Sequence, residues 1–257
     1  MKTNFVIIFA LMISGLAFAQ TEPDTTKYVT YEELIKSLED IAKNSLEPSE
    51  VLRKEFLDLQ KSHGVSSGEQ VYRDFVRVRL AFEATRDSGL WQIRWAITGK
   101  EPNSDSIWAQ WVSLFEPQYS SEELAQPTAT AECDELSALF AFISRGLGVK
   151  SVGLFWPTWN HTVGVWTTVD NHGKPVRIVV PTSQIFVSAT ASFGTKEFDP
   201  YKQKVIYEYN RKDVMKDHKI PKKLAEMMIL QVKEYGAKSS SYLQARRNRL
   251  SGKFGGS

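Results

Sequence analysis

Cys133-Asp134-Glu135-Leu136-Ser137-Ala138-Leu139-Phe140, followed five residues on by Arg145-Gly146-Leu147-Gly148-Val149-Lys150-Ser151-Val152, is the stretch on which the reading of this chain turns. Leu136, Leu139, Phe140 and Ile143 recur at helical spacing, and Gly146 and Gly148 can close a helix end, so the pattern predicts a helix over 131–145 with one buried face. Cys133 stands at its start, where unpaired backbone N–H groups and the helix dipole favour a thiolate. Glu132, Asp134 and Glu135 also suit a helix start, but their charge opposes thiolate formation unless they point to solvent. It is the single cysteine of 257 residues, so neither an intrachain disulfide nor a paired-cysteine zinc site can form. Two readings of Cys133 remain, a nucleophile and a cysteine that only packs.

Working outward, the segments 152–155, 161–169 and 176–181 are short and rich in valine, threonine and aromatics, the composition of strands. Asp170-Asn171-His172-Gly173-Lys174 supplies turn residues between the last two, which predicts a hairpin. A further strand is expected over 204–209, and a helix after Pro221 carrying Leu224, Met227, Met228, Leu230 and Val232. Upstream the pattern is helical. Thr30 with Glu33 makes a capping box ahead of Leu34, Leu38 and Ile41; Pro48 ends that helix; a second runs from Val51 to near Gly64. A third begins near Gln70, and its apolar residues on most faces predict burial. The expected class is α+β, with residues 20–104 helical, a core over 105–234 and a basic tail over 235–257.

With these elements in place, the Cys133 helix with its Arg145-Gly146-Leu147-Gly148-Val149 exit resembles the nucleophile helix of transglutaminase-like proteins. Asn160-His161-Thr162-Val163-Gly164-Val165-Trp166 resembles that family's histidine strand. The resemblance covers about residues 105–186 and implies a papain-like fold, in which the cysteine helix packs on an antiparallel sheet carrying the histidine. It implies Cys133 as nucleophile and His161 as general base and acid, acting on amide bonds of a peptide or protein, such as a cell-envelope peptide. No metal or other cofactor is required by that mechanism. The family's orienting aspartate lies in an Asp-Pro-Thr pattern, matched here by Val180-Pro181-Thr182, so Val180 occupies the aspartate slot. Valine cannot orient an imidazole, which leaves Thr182, Ser183, Gln184 or Asp170 to substitute, or the site silent. Gln126, seven residues before the cysteine, is the candidate oxyanion donor beside the Cys133 backbone N–H.

Composition sets the remaining limits. A net charge of +2 is too small for a dedicated nucleic-acid binder. Lys2, the apolar run over 5–16 and Ala17-Phe18-Ala19 follow one another as in a secretory signal peptide over residues 1–19, so the chain is expected to be exported, periplasmic or secreted. That apolar run falls short of the roughly 20 residues of a membrane span. His63, His161, His172 and His218 show no metalloprotease spacing, and no phosphate-binding glycine loop occurs. Two function classes are carried forward: a cysteine-dependent hydrolase or acyl transferase, and a catalytically inactive binding module for an envelope peptide or protein. A third, a glycan-acting protein, rests on tryptophans such as Trp108, Trp111, Trp156, Trp159 and Trp166, most of which are expected to serve the core.

Overall fold

Thr30 opens the first helix as its sequence predicts. Its hydroxyl accepts the Glu33 N–H at 3.2 Å while the Glu33 carboxylate accepts the Thr30 N–H at 2.7 Å, so two otherwise orphaned donors are satisfied. Helix α1 then covers Tyr31–Ile41 and continues into a π-helical turn, Ala42–Leu46. Helix α2 covers Glu50–His63, α3 Glu69–Thr85, α4 Cys133–Gly146 and α5 Lys222–Ala237. The computed structural model describes residues 28–86, 95–97, 129–131, 133–158, 161–182, 193–206 and 219–237. As its apolar pattern requires, α3 is enclosed: Tyr72, Phe75, Val76, Val78, Leu80, Ala81 and Phe82 are all buried.

Seven strands are described: β1 (Tyr28–Thr30), β2 (Trp95–Ile97), β3 (Ala129–Ala131), β4 (Val152–Thr158), β5 (His161–Val169), β6 (Pro175–Val180) and β7 (Lys219–Pro221). Strand β1 pairs antiparallel with β7, and β2 parallel with β3. The main sheet is antiparallel in the order β4-β5-β6. The 170–174 segment forms the expected hairpin turn, where the Asp170 carboxylate accepts the N–H groups of His172 and Lys174 at 2.8 and 2.9 Å. Ala131, expected in the Cys133 helix, belongs to β3 instead, because it pairs with Ile97.

Alternation along the strands separates the two faces of this sheet. Val152, Leu154, Trp166, Ile178 and Val180 join one core with α1, α3, α4 and α5. Phe155, Val163, Val165 and Val179 form a second, smaller cluster on the other face, where Phe198 and Ile206 pack. The segment 193–206 crosses that outer face as a strap, with a 3₁₀ turn at Pro200–Lys202. The Gly194 N–H donates to Val179 C=O at 2.9 Å, and the Arg177 guanidinium donates to the carbonyls of Pro200, Gln203 and Lys204.

Two further expectations are corrected. Residues 204–206 belong to the strap and form no strand, because Gln203 and Arg177 hold their backbone from the side; residues 207–209 lie outside the described residues. Tyr235, expected to begin a solvated tail, is fully buried on α5. The large core also draws on α1 and α3 as well as α4 and the sheet, so one apolar interior spans residues from both expected regions. Among the described residues, no helix is long and apolar enough to cross a membrane.

Candidate active site

Cys133 is the first residue of α4 and is 9% exposed. Its sulfur accepts a hydrogen bond from the backbone N–H of Thr162 at 3.3 Å, so the thiol sits against the residue that follows His161. One turn further along the helix, Ser137 faces the same strand: its Oγ lies 2.7 Å from Cys133 C=O, 3.2 Å from Thr162 C=O and 2.6 Å from Thr182 Oγ1. Ser137 and Thr182 share one hydrogen bond between two hydroxyls, either of which can donate. The N–H and C=O of Thr162 both turn to α4, to Cys133 Sγ and Ser137 Oγ respectively, and the β5–β6 ladder ends at the Gly164–Val180 pair. The helix start is thereby seated at the end of that ladder, and the chain leaves β6 through a tight turn in which Thr182 N–H donates to Val180 C=O.

Both a helix N-terminus and an N–H donor at the sulfur favour the thiolate over the thiol. Burial of the sulfur works against it. Glu135, two residues along the helix, is fully buried rather than turned to solvent, and its carboxyl shares the same helix start.

His161 is the first residue of β5 and is 1% exposed. Two-residue alternation with Val163 and Val165 puts it on the strap side, and its ring centroid lies 6.0 Å from that of Phe198. Burial pushes its pKa down to about 4, so the ring is neutral near pH 7. The thiol and the imidazole thus belong to adjoining points of one strand end, the first reached from the helix side and the second resting beside the strap.

Val180 is placed differently from the aspartate slot read in the sequence. It pairs with Gly164, three residues from His161, and its side chain belongs to the helix-side core. Space there is tight: a Cβ on Gly164 would come within 2.5 Å of the Phe140 ring and 3.4 Å of Val180 Cβ, so only glycine lets that ring cover the strand. Thr182 is likewise fully buried, and its hydroxyl is engaged by Ser137. Asp170 lies at the far end of the β5–β6 hairpin, where its carboxylate caps the turn. Ser183, Gln184 and Gln126 lie outside the described residues.

Ser137, Thr162 and Phe198 are the neighbours that sequence reading missed. Ser137 carried a usable signal, since a position four residues after Cys133 shares its helix face. Phe198 carried none. Of the tryptophans, Trp166 is buried in the helix-side core and Trp156 is 40% exposed; Trp108, Trp111 and Trp159 lie outside the described residues. Among the described residues, no group of three or more His, Cys, Asp or Glu side chains could hold a metal ion. No family model, no curated protein and no solved structure matches the chain.

Proposed function

We propose that the protein is an exported, transglutaminase-like enzyme with a papain-like core, a cysteine-dependent hydrolase or acyl transferase acting on amide bonds of a peptide or protein. The observation that carries this reading is the 3.3 Å hydrogen bond from Thr162 N–H to Cys133 Sγ, which seats a helix-start thiol against the residue that follows His161 in β5. The proposed reaction requires the His161 ring, which rests on the strap side, to turn to the thiol and take its proton as the sulfur attacks the amide carbonyl and the C=O electron pair moves to oxygen. The Cys133 backbone N–H is the candidate donor to that oxyanion. Collapse breaks the C–N bond, the imidazolium returns its proton to the departing amine, and a thioester remains. Water or a second amine then attacks the thioester, which releases acid or a new amide and restores the thiol.

A second reading is a catalytically silent module that holds an envelope peptide or protein in the same place. It is favoured by the burial of His161, which stabilises its neutral form, and by its contact with Phe198. Alkylation by iodoacetamide across pH, followed by intact-mass analysis, separates the two. The enzyme reading expects a Cys133 rate that titrates below the roughly 8.5 of a free thiol and falls in His161→Ala. A rate that titrates as a free thiol and ignores His161→Ala overturns the enzyme and leaves the binding module.

A further inference from the structure

A different group of polar side chains surrounds a cavity of about 410 Å³ formed by α2, α3 and the strap. Its wall includes Arg79, only 3% exposed. Burial on this scale requires partners, and Arg79 has them: Nε donates to Glu55 at 3.0 Å and to Tyr235 Oη at 2.8 Å, while Nη1 lies 2.9 Å from Glu83. Arg86 also pairs with Glu83 at 3.3 Å, so two guanidinium groups face two carboxylates. This cluster is balanced. Arg79 stiffens the wall without creating a demand for an anion.

The unbalanced charges are elsewhere on the lining. Asp58 of α2 and Lys196 of the strap both line the cavity, both reach solvent, and neither makes an ion pair among the described residues. Leu59, Phe75 and Phe193 supply apolar surface to the same lining, beside Ser62 and His63. His63 adds no second cation near neutral pH, because burial and then the neighbouring Lys196 charge lower its pKa. The strap approaches α2 closely at Gly194, where φ is +74° and a Cβ would lie 2.9 Å from Leu59 Cδ1. A side chain there would lift the strap that carries Lys196 and Phe193.

We infer that this cavity binds a free amino acid with an apolar side chain, its ammonium at Asp58, its carboxylate at Lys196 and its side chain against Phe75 and Phe193. A ligand of one sign meets a like charge on the lining: an anion faces Asp58, and a cation faces Lys196. A small zwitterion satisfies both lone charges at once, and the volume lies in the range of small-molecule sites. The site is separate from Cys133 and does not depend on the enzymatic reading.

Isothermal titration with L-phenylalanine, N-acetyl-L-phenylalanine and L-phenylalanine amide tests it, using the full chain carrying Cys133→Ala so that no thiol chemistry contributes. L-phenylalanine is expected to bind with a Kd on the order of millimolar or tighter, and each blocked analogue about tenfold more weakly, because each leaves one charge without its counterpart. Asp58→Asn should remove the penalty for acetylation, and Lys196→Gln the penalty for amidation. Both residues are at the surface, so the fold should survive, and the analogue series on the unsubstituted cavity stands whether or not it does. Absence of heat with L-phenylalanine at about 10 mM, or equal binding of all three compounds, overturns the proposal.

Discussion

The Cys133 sulfur and the Thr162 amide form one hydrogen bond of 3.3 Å, and through it α4 is anchored to β5 at the point where β5 and β6 cease to pair. Ser137 repeats the connection one turn later, through Thr162 C=O and the Thr182 hydroxyl. The thiol is therefore part of the joint between helix and sheet as well as the candidate nucleophile.

Because Thr182 and Ser137 share a hydrogen bond in a fully buried setting, the two hydroxyls should be energetically coupled. Thr182→Val and Ser137→Ala are each expected to cost about 1 to 2 kcal/mol in urea unfolding. The double variant should lose about 0.5 to 1.5 kcal/mol less than their sum. Strict additivity would show that the 2.6 Å contact carries no coupling.

Acid should weaken the fold through His161. The unfolded chain takes up a proton at this position near 6.5, whereas burial holds the folded pKa at about 4, so between those values the unfolded state binds more protons. The stabilisation is complete above about pH 6.5 and is lost as pH falls toward 4, with a full span of about 3 kcal/mol. Urea midpoints measured from pH 7 to pH 4 should fall less steeply in His161→Gln than in the parent chain. Equal slopes would refute a buried, neutral imidazole.

Val180→Asp puts a carboxylate under the Phe140 ring, opposite Gly164, where the surroundings are apolar. A loss of about 2 to 4 kcal/mol is expected, with no gain in alkylation rate at Cys133. A faster-reacting thiol in this variant would mean that Val180 does reach His161.

Gly164→Ala is expected to destabilise by about 1 to 3 kcal/mol, since its Cβ would lie 2.5 Å from Phe140 Cε1. Phe140→Leu, which removes ring atoms at that spot, should recover part of the loss in the double variant. No recovery would place the strain elsewhere.

Local chemistry made much of this architecture legible. The Thr30–Glu33 capping box, the Pro48 and Gly64 boundaries, the 161–169 strand and the 170–174 turn each follow from short-range rules that act within a few residues. What escaped depends on partners distant in the chain. Ala131 is a strand residue because Ile97 lies beside it, and Tyr235 is buried in a core shared with α1 and α3, its hydroxyl met by Arg79 and Glu55. The site shows the same division. A cysteine at a helix start is visible in one stretch of sequence, but the register that gives Val180 to Gly164, and Thr182 to Ser137, is set by how β6 pairs.

Arg177 donates through one side chain to the carbonyls of Pro200, Gln203 and Lys204. Since a guanidinium is a rigid plane, those three bonds cannot be released one after another by small rotations; withdrawing the group frees all of them. Gln203 Oε1 also accepts the Trp156 N–H, and Tyr201 Oη the Arg177 N–H, so the strap's outer half is tied to both β4 and β6 where it covers Phe198 and the sheet face that His161 shares. Backbone amides that are protected only while these ties hold together are expected to exchange with solvent as a group.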